Sequence, residues 1–497
     1  MNWYYGVPLS APTTEPIVYL DLDGQGPRYG QLIRAFKNAI LDGRLPADAR
    51  LPASRALARD LELSRNTVLA AYEQLQAEGF LVGKVGSGSY VGSIVPGKSS
   101  TRRAAAIPAA PLSPFARRAL AAGDGAFIPG RQHIGLRYNL QYGTPLTNPA
   151  LASAWRRELN RAAEHAEFDY PDAQGLPALR ENICDYLARR RGVKAEPGDV
   201  LIVSGTQQAF ALAARVLLSA GDGVALEDPH YRGARQAFVA QGARVHGCRV
   251  DAEGVVPESL PASARLAVIT PSHQFPTGAL LPLSRRMALL EWAAARSAWL
   301  VEDDYDGEFR YGGRPLAALK SLDRDDRVIY IGSFSKALFP ALRLGYMVIP
   351  AALRQAMVAA KWLEDRGCAP LEQAALARFI ADGGFERHLR RAAQTLRARR
   401  TAMLTGLQRH AAGCVEVADS HAGMHITAWL NGMSHADAER LVAHARERGL
   451  GLYTLAPYYL KPPSRPGLLL GYAGLPPADV EAAMRLFGKC LRELGFA

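Results

Sequence analysis

Apolar positions divide the chain into two unequal parts. In the first, Leu32, Ile33, Phe36, Ile40 and Leu41 recur at helical spacing and stop at Asp42-Gly43, which predicts an amphipathic helix over 29–43. Past Leu51-Pro52 a short helix is expected through Arg55, Leu57 and Ala58 to Leu61. The turn at Leu63 leads to Ser64, a good cap for a helix holding Val68, Tyr72 and Leu75. Two helices joined so closely have helix-turn-helix spacing. Residues 79–82 and 89–91 then read as strands about a glycine-containing tip at 83–88, a hairpin placed as a wing.

Residues 93–130 include Pro96-Gly97-Lys98-Ser99-Ser100 and an Ala/Pro run over 104–111; without sustained periodicity they read as a linker. Beyond it, apolar runs at 200–203, 224–227, 266–269, 299–301, 328–331 and 344–349 alternate with helical stretches. That alternation predicts an α/β unit whose mainly parallel sheet is covered by helices. From about 355, a long helical region, strands near 424–430 and 468–472 and a helix at 477–494 predict a smaller α+β lobe. The expected division is a DNA-binding domain at 16–92, the linker, and a larger unit at 131–497.

Composition narrows the class. A chain of 497 residues exceeds what one core covers, and 48% apolar with 21% charged residues excludes wholesale disorder. No stretch approaches the apolar run of about 20 residues that spans a bilayer, and the opening residues lack a cationic segment followed by an apolar one. A cytoplasmic protein is expected, with no membrane partner. Cys184, Cys248, Cys368, Cys414 and Cys490 form no C-x-x-C pair, so neither a disulfide framework nor a metal site is expected. The net charge of +12 suits an anionic partner. The excess does not lie in the first hundred residues, however, but includes Arg102, Arg103, Arg117, Arg118 and the stretch 387–400.

In a helix-turn-helix the first residues of the second helix face base edges and phosphates. Here they are Ser64-Arg65-Asn66-Thr67. Arg65 can pair with a guanine, Asn66 or Thr67 can touch a base or phosphate, and Arg55 can approach the backbone. Capping alone would explain the serine. The ordered run Leu51-Pro-Ala-Ser-Arg-Ala-Leu-Ala-Arg-Asp-Leu-Glu-Leu-Ser-Arg-Asn-Thr-Val, followed by Ala71-Tyr-Glu-Gln-Leu-Gln-Ala-Glu-Gly-Phe-Leu and Gly86-Ser-Gly-Ser-Tyr-Val, resembles the GntR-type winged helix over about 27–92. The resemblance implies contacts to double-stranded DNA by Arg55, Ser64, Arg65, Asn66 and Thr67, with Gly88 at the wing tip.

In the larger part, Ser333-Phe-Ser335-Lys336 and then Arg343 follow the run at 328–331. They gather hydroxyls, an amine and a guanidinium at a strand's carboxyl end, where open α/β sheets bind ligands. Val203-Ser-Gly205-Thr206-Gln-Gln joins a strand to a helix start able to hold phosphate. A third strand ends in Glu302-Asp303-Asp304-Tyr305-Asp306-Gly-Glu308. Each alone is more simply a surface turn or a solvated acidic edge. Together, in order, they offer what pyridoxal 5'-phosphate requires: an amine for a Schiff base, an anion for the pyridine nitrogen, a donor to the ring oxygen and a phosphate cradle. Lys336 is the amine, with Ser333, Ser335 and Arg343 for the phosphate.

That pattern resembles the fold type I aminotransferases, and with the winged helix in front the whole chain resembles the MocR subfamily of GntR-type regulators. Both domains match; the linker does not. The resemblance implies Asp303 at the pyridine nitrogen, with Asp304 as a rival, Tyr305 on the ring oxygen, Tyr231 of Glu227-Asp-Pro-His-Tyr as the stacking ring, and Gly205 and Thr206 on the phosphate. Tyr170-Pro-Asp-Ala-Gln-Gly is similar to a segment whose tyrosine reaches the coenzyme phosphate of the neighbouring subunit, which implies a head-to-tail homodimer. The function implied is a DNA-binding transcriptional regulator responding to an amine, an amino acid or the coenzyme itself; the alternative is a working aminotransferase. One departure matters. Leu469 stands where aminotransferases of this fold place an arginine for the substrate α-carboxylate, with Arg465 and Arg232 as possible substitutes. Efficient transamination is therefore not expected.

Overall fold

The computed structural model describes residues 20–84, 87–93, 111–123, 135–144, 146, 148–165, 169–311, 316–418, 420 and 422–496. It divides into two compact units, Met1–Pro111 and Leu112–Ala497.

In the first unit, α1 (Arg28–Leu41), α2 (Ser54–Asp60) and α3 (Arg65–Ala77) share one core containing Leu32, Phe36, Leu57, Val68 and Leu75. The rings of Phe36 and Tyr72 meet edge to face at 5.6 Å, and the Tyr72 hydroxyl donates to Pro52 O at 2.9 Å, tying α3 to the loop before α2. β1 (Leu81–Lys84) pairs antiparallel with β2 (Gly88–Val91). The first strand thus begins two residues later than 79–82 predicts. Gly79 and Phe80 are spent on ending α3: Gly79 takes φ +79°, and the Phe80 N–H donates to Leu75 O at 2.9 Å. Residues 85 and 86 of the expected tip, and 16–19 of the expected domain, lie outside the described residues.

The expected linker at 93–130 needs correction. Part of it is α4 (Pro114–Ala122), capped by Ser113, and it belongs to the second unit. Hydrogen bonds bind it there: Arg118 Nε donates to Ala240 O at 3.0 Å, and Gln236 Nε2 donates to Ala122 O at 3.1 Å. Those partners lie over a hundred residues away, so no local pattern announces them. The rest of the span, 94–110 and 124–130, is outside the described residues.

The second unit continues through β3 (Tyr138–Asn139), α5 (Pro149–Glu164), α6 (Pro177–Arg191), β4 (Val200–Val203), α7 (Thr206–Leu217), β5 (Gly223–Asp228) and α8 (Arg232–Gln241). Next come β6 (Arg244–Asp251), β7 (Gly254–Val255), β8 (Ala264–Ile269), α9 (Leu283–Arg296), β9 (Trp299–Asp304), β10 (Val328–Ser333), the single turn α10 (Phe334–Ala337) and β11 (Gly345–Val348). The strands form one sheet in the order β4-β11-β10-β9-β8-β5-β6-β7. It is parallel except for β11, antiparallel to both neighbours, and the two-residue β7. Apolar layers lie against it, one with Phe210, Phe238 and Met357, another with Leu289 and Trp292. This explains why its central strands lack polar alternation.

The smaller lobe holds α11 (Arg354–Asp365), α12 (Pro370–Ala381), α13 (Gly384–His410), β12 (Val415–Val417), β13 (His425–Leu430), α14 (His435–Glu447), β14 (Leu450–Gly451), β15 (Gly467–Gly471) and α15 (Pro477–Glu493). β12, β13 and β15 make an antiparallel sheet. This lobe is not confined to 355–497 as expected. β3 pairs with β14, and the Gly471 N–H donates to Leu140 O at 2.8 Å, so the segment 138–144 is held against it. Among the described residues no helix is long and apolar enough to cross a membrane.

Candidate functional site

The carboxyl ends of β9 and β10 and the start of α7 converge on a cavity of about 760 Å³. Of the residues singled out from the sequence, Thr206, Tyr231, Asp303, Tyr305, Ser333, Ser335, Lys336 and Arg343 line it. Gly205 lies directly behind at φ +85°, where a Cβ would sit 3.4 Å from the Arg343 guanidinium, so the turn into α7 favours glycine. Tyr170 is not in the lining; it stands on the surface, 73% exposed.

Successive residues of a strand face opposite sides, and this separates the two acids left open above. Asp304 is buried against Arg191 at 2.7 Å and accepts from the Tyr330 hydroxyl at 2.5 Å. Asp303 lines the cavity, and its buried Oδ1 has no hydrogen-bond partner. Burial, with Asp304 and Asp306 nearby, pushes its carboxyl up to about 8. A buried polar atom left unpaired is costly unless a ligand completes it. A protonated pyridine nitrogen is a donor of the right kind.

Lys336 sits on α10, its Nζ 4.9 Å from the centre of the Tyr142 ring. A Cβ on Gly143 would fall 2.6 Å from that nitrogen, so this glycine makes room for the amine. Burial pulls the ammonium down to about 8, against the opposing pull of Asp306 and Asp303. Ser333 Oγ accepts from the Ser335 N–H at 3.1 Å, and Arg343 Nη2 donates to Ser204 O at 2.6 Å. A guanidinium is thereby held beside the start of α7, whose free N–H groups favour an anion.

Tyr305 shows a partner that the sequence reading missed. Its hydroxyl is 2.8 Å from His273 Nδ1, which is also 2.9 Å from Asp306 Oδ2, while His273 Nε2 is 3.0 Å from Ser420 Oγ. With Asp306 as acceptor, Nδ1 carries a proton that Tyr305 Oη can share. The phenol's own proton is then left to point into the cavity. Burial, with Asp306 close, raises the phenol far above its usual range and keeps that proton on. His273 and the cavity-lining Phe275 belong to Pro271-Ser-His-Gln-Phe-Pro-Thr-Gly278 after β8. A turn-rich polar run at a strand's carboxyl end was the available signal. Tyr142 and Gly143 had none, because the pairing of β3 with β14 brings them in.

Among the described residues, neither Arg465 nor Arg232 lines the cavity as a substitute for the carboxylate clamp. Leu469 is fully buried against Phe275, Leu455 and Tyr458. Arg465 pairs with Glu416 at 2.8 Å, and Arg232 opens α8 outside the lining. Among the described lining residues, Arg343 carries the only guanidinium.

The Arg191–Asp304 pair supports β9 from behind. Arg191→Met leaves a buried carboxylate without its counter-charge and is expected to cost about 3–5 kcal/mol of stability, read as a lower denaturation midpoint. An unchanged midpoint would contradict this account of Asp304.

In the first unit, Arg55, Ser64, Arg65 and Asn66 are exposed and Thr67 is half-buried. Ser64 Oγ accepts from the Thr67 N–H at 3.1 Å and lies 2.7 Å from Thr67 Oγ1. These two hydroxyls are engaged in capping, whereas the Arg65 and Asn66 side chains stand at the helix start. Gly88, exposed at φ +111°, begins β2 just after the tip.

A model of the aminotransferase class I and II family matches residues 138–486, and one of the bacterial regulatory proteins of the gntR family matches 28–91. The chain is 36% identical to the probable rhizopine catabolism regulatory protein MocR of Rhizobium meliloti, over 93% of each chain. It is 32% identical to the HTH-type transcriptional regulator TauR of Rhodobacter capsulatus, over 95% of this chain and 98% of that one. Among solved structures it is similar to the α-aminoadipate aminotransferase LysN of Thermus thermophilus, crystallised with N-(5'-phosphopyridoxyl)-L-leucine. That match has a TM-score of 0.68 and 30% identity, covering 77% of this chain and 97% of that one.

Proposed function

This chain belongs to the aminotransferase class I and II family and, with its gntR-family domain, to the MocR-type regulators; from that premise we propose that it is a pyridoxal-phosphate-dependent, effector-responsive transcriptional regulator. The winged helix supplies the DNA-binding surface. The observation that carries the coenzyme assignment is Asp303, a buried acid with an unpaired oxygen facing the same cavity as the Lys336 amine.

When bound, pyridoxal phosphate supplies an aldehyde that condenses reversibly with primary amines. Lys336 contributes the protein's amine, and its lowered pKa leaves a usable neutral fraction near pH 7. Asp303 would hold the proton of the pyridine nitrogen, Tyr305 would donate to the ring oxygen, and Tyr231 would cover the ring face. Arg343, Ser333, Ser335, Thr206 and Gly205 would hold the phosphate. A head-to-tail homodimer would add Tyr170 from the neighbouring subunit. Support comes from the surface around it, where Arg366 stacks on both Tyr170 and the exposed Trp362, at 5.7 and 4.8 Å.

The effector must favour one arrangement of the two units' partners over another, or DNA affinity cannot change. Because the described lining holds no arginine beyond Arg343, amines without an α-carboxylate, or the coenzyme itself, suit it better than ordinary α-amino acids. The test is to titrate both classes of amine into the coenzyme-loaded protein while following visible absorption and affinity for its own upstream DNA. Carboxylate-free amines are expected to change both together, without turnover. Sustained conversion of an amino acid and a keto acid would instead establish the aminotransferase alternative.

A further inference from the structure

A second groove, of about 570 Å³, runs along α5 beside the end of α12 and the first turns of α13. Four arginines line it: Arg157, Arg161, Arg387 and Arg391. The acids in the lining are Glu158 and Asp382. Glu158 is already engaged, by Arg161 at 3.2 Å and by Arg378 at 3.7 Å. The side chains of Arg157 and Arg391 make no hydrogen bond or ion pair among the described residues. Guanidiniums gathered in one concavity repel one another, and a bound anion removes that cost. The groove also receives the amino-terminal ends of two long helices, α5 of 16 residues and α13 of 27, the latter without a side-chain cap. Their free N–H groups add to the positive potential.

We propose that this groove binds a small, compact molecule carrying two or more negative charges, a polycarboxylate or a phosphate compound. A concavity of this size suits a small molecule, whereas a duplex backbone is better matched by an open ridge of cations. No described residue lining this groove also lines the Lys336 cavity.

The groove is nevertheless connected to the Lys336 turn. His388, buried in its lining, donates from Nε2 to Ala337 O at 2.8 Å, the carbonyl next to Lys336. Burial and the charge of Arg391 both hold the His388 pKa down, so Arg391 is close enough to be felt there. An anion seated between Arg157 and Arg391 offsets that charge and steadies α13 against the turn bearing the amine.

Calorimetric titration of the full-length, coenzyme-loaded protein with citrate and with pyrophosphate, at about 0.15 M ionic strength, tests this. At least one is expected to bind with a dissociation constant below about 1 mM. Replacing Arg157 and Arg391 together by glutamine should weaken it roughly tenfold or more, with an unchanged denaturation midpoint. Arg343→Gln should leave it intact, separating this groove from the coenzyme cavity. Citrate or pyrophosphate should also slow hydrogen exchange in the peptide over 334–343. Citrate acting alone identifies polycarboxylates, and pyrophosphate acting alone identifies phosphate compounds. Absence of binding by both, or equal binding by the double variant, overturns the proposal. So does a double variant that loses DNA affinity while small-anion binding is unchanged, which would assign the arginines to a nucleic-acid backbone.

Discussion

Lys336→Ala is expected to remove the lysine-dependent visible band of the coenzyme-loaded protein while leaving affinity for upstream DNA in the effector-free state within about twofold. The first half follows from geometry. Among the described lining residues Lys336 offers the only primary amine, and Gly143 leaves room for its Nζ. The phosphate cradle at Arg343 and the α7 start remains in the variant, so noncovalent coenzyme binding should persist at reduced affinity. Dialysis would then strip the coenzyme from the variant but not from the parent. The second half follows from the separate cores of the two units. A variant that kept the band would move the attachment to another lysine and dismantle the assignment of Asp303 and Tyr305 with it. Adding a small primary amine should restore a visible species, because the acid and the phenol are still in place.

Arg65→Ala should show the complementary result, a fall in DNA affinity with the visible band intact. A bidentate arginine–base contact contributes about 1–3 kcal/mol of discrimination, so a loss of roughly five- to 150-fold is expected on the specific site. Affinity for unrelated DNA should fall far less, since phosphate contacts dominate there. Arg65 is exposed at the first position of α3, and the cap between Ser64 and Thr67 does not involve its side chain. The helix start should therefore survive the substitution, and unchanged thermal stability would show that it has. Equal losses on specific and unrelated DNA would make Arg65 a phosphate contact. No loss on either would remove α3 from the interface.

The order of events along the chain was open to inspection in the residues themselves. Helical and strand periodicity depend on neighbours a few positions apart, so α1, α3, the hairpin and the buried strands could be read locally. The groups at the ends of β4, β9 and β10 could be read as well, because each follows its strand directly. Three features could not. Asp303 and Asp304 are chemically alike, and only the facing of β9 gives one an ion pair and the other a cavity. α4 looks like linker until its hydrogen bonds to α8 are seen. Tyr142 and Gly143 reach the site from a segment far from it in sequence, through the pairing of β3 with β14.

What the amino-acid order determined by itself, then, is most of the elements and the chemical inventory at their ends, since both are local properties of the chain. What tertiary structure alone decided is which of those groups share a cavity, which are neutralised by a buried partner, and which cations are left without one. Those outcomes depend on burial and on distances between remote segments, and only the closed fold sets either.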